Sequence, residues 1–177
     1  MKKVLIISVL FFSAIQMRAQ SGELAVGAQG GYITYYKSPL YGMTFTYHLS
    51  TPLQLSLSGL INPNISLKEG SNTIPTELYT VNVDLRFLLL NFDILSTGPS
   101  IGLQYMRNIE NSVVSDKKDI FGPNLGWYVK YNLTENLRLT GGWQYSNMKK
   151  SSNMTSYTYN FSYHMFYVGL SWAFNTY

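Results

Sequence analysis

Asp84 and Arg86 stand two residues apart in TVNVDLRF (residues 80–87), and two further cations, Lys130 and Arg138, fall in stretches of similar alternating character. Residues two apart on a strand share a face, so Asp84 and Arg86 suit an ion pair that Arg138 can join from a strand distant in sequence. Gln54, Asn82, Gln104, Gln144 and His48 occupy the same phase of their own segments. Charges and amides gathered on one side of a sheet support two chemistries, a gated ion path or a self-neutralising polar plug. The plug is the expected one, because polar groups in a narrow interior must find partners there. Covalent catalysis has little to work with: there is no cysteine, His48 and His164 are the only histidines, and no compact set of His, Ser and carboxylate brings a base to a hydroxyl. Metal ligands are equally sparse, and no metal or cofactor is implied.

The elements that must position these groups are strands. Apolar residues recur at every second position: Tyr41, Met43, Phe45 and Tyr47; Leu53, Leu55, Leu57 and Ile61; Tyr79, Val81, Val83, Leu85 and Phe87; Ile101, Leu103 and Tyr105; Leu125, Trp127, Val129 and Tyr131; Leu137, Leu139, Trp143 and Tyr145. Between them stand mostly Gly, Ser, Thr, Asn and Gln. This period of two gives each strand one apolar and one small or polar face. With a first strand near 22–36 and a last near 156–174, the pattern predicts eight strands. Connections near 50–52 and 133–136 are tight and that near 90–97 is modest, whereas 62–76, 108–120 and 148–156 read as longer loops rich in Ser, Asn and Lys.

The stretch MKKVLIISVLFFSAIQMRAQ places two lysines before an apolar run from Val4 to Ile15, with Ala19 as a small residue for cleavage. The run is shorter than the roughly 20 residues of a membrane-spanning helix, so residues 1–19 read as a secretory signal peptide and 20–177 as one domain. Lys2, Lys3 and Arg18 lie in the leader, which leaves ten basic residues against nine acidic ones beyond it. So even a balance argues against nucleic acid as a partner.

A secreted soluble sandwich would alternate too, with its apolar face inward. Three features turn the apolar face outward to lipid. The alternating stretches reach ten or more residues, as a tilted membrane strand requires. Only 12% of the chain is charged, about half the usual share, so the polar face suits a lumen better than a watery surface. Tyr and Trp recur at the ends of the apolar faces, as in interfacial aromatic belts. The predicted fold is all-β, an eight-stranded antiparallel up-and-down transmembrane β-barrel.

Residues 167–174, YVGLSWAF, resemble the C-terminal assembly signal of Gram-negative outer-membrane barrels, with Tyr167, Gly169, Trp172 and Phe174 at the specified places. The whole mature chain resembles small eight-stranded barrels of the OmpX or OmpA-barrel type. That resemblance implies location in the cell outer membrane after export by a cleaved signal peptide. It also implies a last strand that is read by the barrel-assembly machinery and closes against the first. Outer-membrane lipid and lipopolysaccharide are then the surrounding partners, and Arg107, Lys149 and Lys150 are candidates to meet anionic lipopolysaccharide groups at the outer rim. A shorter likeness, QYSN at 144–147, resembles the lipid A deacylase barrels. Ser146 and Asn147 match that motif, but Gln144 stands where the histidine base belongs.

In the last strand, the phase of Tyr157, Tyr159, Phe161 and Tyr163 differs from that of Phe166, Val168, Leu170 and Trp172. A bulge between 163 and 166, or an end projecting above the membrane, would reconcile them. Taken together, the expected function is that of a non-catalytic barrel with a structural or surface-contact role. A narrow channel for ions or small solutes and a degenerate lipid A deacylase are the alternatives.

Overall fold

The computed structural model describes residues 22–35, 37–50, 52–69, 72–110, 118–151 and 158–175, and all their regular structure is strand. The leader (1–19) lies outside the described residues. Eight long strands follow in order: β1 (Glu23–Ile33), β2 (Ser38–Ser50), β3 (Leu53–Glu69), β4 (Asn72–Phe87), β5 (Leu95–Glu110), β6 (Lys118–Asn132), β7 (Leu137–Ser151) and β8 (Thr158–Asn175). A two-residue segment, Leu90–Asn91, clasps Thr97 and Ser96 in the turn before β5.

Each strand pairs antiparallel with its neighbour in sequence, and β8 pairs with β1 from Glu23↔Asn175 to Ile33↔Met165 without a shift of register. The sheet is therefore closed. Closure is what lipid demands, since a free edge in hydrocarbon would leave backbone N–H and C=O groups without partners.

The period of two sorts the side chains. Val83, Ile101, Leu103, Leu125 and Val168 are about half exposed on the outside, while Gln54, Asn82, Gln104 and Ser146 are buried inside. Glu23, Asn175, Pro52 and the turns at 88–94 and 133–136 share one end of the barrel. At the other end β3 runs on to Glu69 and β4 starts at Asn72, past the register shift at Asn62/Ile65, which marks it as the outer end.

Two expectations change. The segment 62–76 is mainly strand, because β3 runs to Glu69 and β4 starts at Asn72. A register shift between Asn62 and Ile65 marks where the wall passes into this projecting hairpin. The last strand needs no bulge: β8 stays in register with β7 and with β1, and Tyr163, Met165 and Tyr167 simply point inward, at most 9% exposed. The aromatic phase changes because the interior, too, is apolar at that height.

Candidate functional site

The lumen is filled in three tiers. The inner tier, toward the short turns, carries the charges. Arg138 on β7 donates from both Nη1 and Nη2 to the two carboxylate oxygens of Glu23 on β1, a bidentate pair closed across the β8–β1 seam. His48 Nε2 lies 3.3 Å from Glu23 Oε1 and 2.9 Å from Gln54 Nε2. Arg86 on β4 places its guanidinium 5.2 Å from the Tyr128 ring centre and 5.8 Å from that of Tyr167, which desolvates the cation against two π faces. Lys130, buried, has no hydrogen-bond or ion-pair partner among the described residues.

The middle tier is polar, with Asp84 its one carboxylate among the described residues. Asn82 Nδ2 donates to Ser58 Oγ at 3.1 Å, and Ser146 Oγ donates to Gln104 Oε1. Asp84 sits here beside Asn124 and on the same face as Arg86. The outer tier is apolar: Ile33, Leu40, Leu60, Leu78, Met106, Met148, Tyr163 and Met165 pack in one cluster that reaches Tyr128 and Tyr167. Above it, Asn62 Nδ2 donates to Ser38 Oγ and to the Pro39 carbonyl.

Tyr167 ties the tiers together. It faces Gly142 directly across β7 and β8, and a Cβ at position 142 would come within 2.6 Å of its ring carbon Cζ. The bare glycine lets the ring lie flat against the wall and meet Arg86.

The expected lumenal trio is thus divided. Asp84 and Arg86 share one region, while Arg138 belongs to Glu23, a residue the sequence pattern did not single out. No local signal could reveal that pairing, since it joins positions 115 residues apart. A cavity of about 10 Å³ lies in the inner tier among His48, Gln54, Arg86, Lys130 and Arg138, at the lower limit for a single water.

The other candidates separate by face. Of the C-terminal residues, Tyr167 points inward, while Trp172 and Phe174 are about half exposed on the lipid side. Gly169 stands opposite Gln29 of β1. Ser146 is fully buried in the lumen on Gln104, whereas His164, on the next strand, is exposed on the outer face. Among the described residues, that hydroxyl meets an amide rather than a base. Arg107 lies on the outward phase of β5, paired in register with Tyr79 on one side and Asp119 on the other. Lys149 stands opposite Phe121 and Lys150 opposite Tyr159; their side chains lie outside the described residues.

A closed eight-stranded barrel with an apolar outer band and a filled interior defines the small outer-membrane type. The chain belongs to the outer membrane protein beta-barrel domain family, whose model matches residues 4–174, and its location is accordingly the outer membrane. Solved structures of similar fold include the N-terminal barrel domain of Pseudomonas aeruginosa OprF (20% identity, 87% of this chain and 98% of that one, TM-score 0.59). Neisserial surface protein A is similar at 16% identity, again over 87% and 98%, with TM-score 0.63. The attachment invasion locus protein Ail of Yersinia pestis follows at 13% identity over 88% and 100%, with TM-score 0.56. At these identities the likeness is one of fold. No curated protein matches the sequence.

Proposed function

We propose that the protein is a sealed, non-catalytic barrel that serves the outer membrane structurally and through contacts of its outer rim. The observation that carries this reading is the apolar outer tier. An ion entering the lumen would have to leave water among Leu40, Leu60, Leu78 and Met106, each at most 2% exposed, where an unpaired charge is strongly disfavoured. Below it, the Glu23–Arg138 pair and Arg86 occupy the cross-section. A catalytic role lacks support, because Ser146 hydrogen-bonds an amide rather than a base.

In this reading the leader is cleaved on export. Tyr167, Gly169, Trp172 and Phe174 present the last strand to the assembly machinery, and Arg107, Lys149 and Lys150 meet the phosphate groups of lipopolysaccharide. Ail, of similar fold, has been crystallised in complex with a heparin analogue, sucrose octasulfate.

Planar-bilayer recording tests the seal. Purified wild-type protein is expected to give no steady conductance. A reproducible single-channel current whose ion selectivity changes in Asp84→Ala would replace the sealed reading with a channel.

A further inference from the structure

The lipid-facing wall is not uniform. At the β8–β1–β2 seam the outward positions of β1 shrink to Ala28 and Gly30, flanked by Tyr41 and Met43 on β2 and by Val168 and Leu170 on β8, and together they form an apolar groove of about 520 Å³. A Cβ at Gly30 would meet nothing closer than the Leu40 carbonyl at 3.8 Å. The groove is therefore open because of side-chain size, not because a larger residue would clash.

Farther toward the outer end, past the exposed rings of Tyr32 and Phe166, stands a second feature. Trp143 Nε1 donates to His164 Nδ1 at 3.1 Å, and the two rings stack at 5.6 Å. Tyr145 tilts against the imidazole, with ring centres 5.2 Å apart. The carbonyl of His164 accepts from the backbone N–H of Thr34 at 3.0 Å and from its hydroxyl at 3.1 Å, which anchors the segment at the top of β1. An indole N–H can only donate, so Nδ1 is the acceptor and Nε2 carries the proton of the neutral ring. That N–H has no partner among the described residues, and His164 is exposed. Further up, on the same phase of β7, come Asn147 and the register position of Lys149.

We infer that this seam is a binding site for one phosphorylated glycolipid of the outer leaflet, lipopolysaccharide, with an acyl chain in the Ala28–Gly30 groove and its sugar headgroup on Trp143, Tyr145 and His164. The vertical order supplies the argument. A greasy channel, a belt of flat rings holding one outward donor, and then amide and cationic positions match the order of acyl chain, sugar and phosphate in such a lipid. A plain phospholipid has no sugar face to lay on the rings. The site rests on the reading of the outer rim as a lipopolysaccharide contact and gives that contact a place.

The test uses full-length protein in vesicles of phosphatidylethanolamine with and without lipopolysaccharide, extracted gently and weighed by native mass spectrometry. Wild type retains lipopolysaccharide in preference to phospholipid. Gly30→Leu fills the groove and lowers retention by about tenfold, the loss of roughly two buried methylene contacts. Gly59→Leu, on a lipid-facing stretch of β3 where a Cβ meets nothing within 4 Å, leaves retention unchanged and controls for folding. His164→Phe keeps a ring but removes the donor, and lowers retention less than Gly30→Leu. Equal retention in Gly30→Leu and Gly59→Leu, or phospholipid held as firmly as lipopolysaccharide, overturns the site. If Arg107→Ala weakens retention while Gly30→Leu does not, the groove falls and the rim contact stands; if neither weakens it, both fall.

Discussion

The two ends of the lumen close the same barrel by opposite chemistry. Toward the outer end, Leu40, Leu60, Leu78, Met106 and Met148 fill the bore as an ordinary protein core would. Toward the inner end, Glu23, Arg86, Lys130 and Arg138 fill it with charge, with His48 beside them. The apolar tier is held by packing, which tolerates small changes of shape but no polarity. The charged tier is held by pairing, which depends on every partner being present. A carboxylate left alone in a confined interior costs more than a small void. The same bore is thus sensitive to different substitutions at its two ends.

The largest expected effect is a charge placed in the wrong tier. Leu60→Glu sets an unpaired carboxylate at a site 1% exposed and should destabilise the barrel by about 4 kcal/mol or prevent assembly. The mirror change, Gln54→Leu, removes an amide that bonds only His48 among the described residues and should cost about 1 kcal/mol. Urea unfolding in phospholipid vesicles measures both. Equal costs would mean that the tiers do not differ in polarity tolerance.

Next comes the Glu23–Arg138 pair. Arg138→Ala strands Glu23, whose side chain keeps 19% exposure, so the cost should be about 2–3 kcal/mol, below that of a fully buried pair. Glu23→Gln should recover part of it, and the double-mutant cycle should return a coupling of about 1–2 kcal/mol. Strictly additive effects would show the bidentate contact to be energetically idle.

Both ends were not equally readable in the sequence. The lumenal charges stood out because Asp84, Arg86, Lys130 and Arg138 break a run of small neutral residues. The outer tier left a fainter mark, in adjacent apolar pairs such as Leu40–Tyr41, Leu60–Ile61 and Leu78–Tyr79. There the alternation lapses because both faces of the wall meet apolar surroundings. Local periodicity reads which face a residue takes, so the strands, their number and the outward band were legible. It carries no information on which residues meet across the bore. Hence Arg138 could be assigned to the interior while its partner Glu23 stayed hidden, and the change of phase in β8 could be mistaken for a bulge. The seam groove was invisible for a similar reason, since Ala28 and Gly30 acquire flanking ridges only when β8 closes on β1.

A third test asks whether the tiers block the bore in series. Met106→Ala and Leu78→Ala should each cost about 2–4 kcal/mol through the cavity they leave, yet neither should conduct, because the charged tier still fills the bore below. Arg86→Ala alone should likewise stay closed under the intact apolar tier. Steady current is expected only when both are opened, as in Met106→Ala combined with Arg86→Ala. Current from Met106→Ala by itself would show that the charged tier is no barrier.

The smallest effect separates the charges within the inner tier. Lys130 lies near Arg138 and Arg86 as well as Glu23, so it faces two like charges and one opposite charge that Arg138 already engages through two bonds. Lys130 is 8% exposed, and its ammonium gains little to offset the loss of water. Lys130→Met keeps the length of the stem and removes the charge, so stability should change by less than about 1 kcal/mol and in the stabilising direction. The same replacement at Arg138 should destabilise, because Glu23 then loses its partner. If Lys130→Met proves as damaging as Arg138→Met in vesicle unfolding, the inner tier is a network in which every cation is required, rather than one pair accompanied by a tolerated charge.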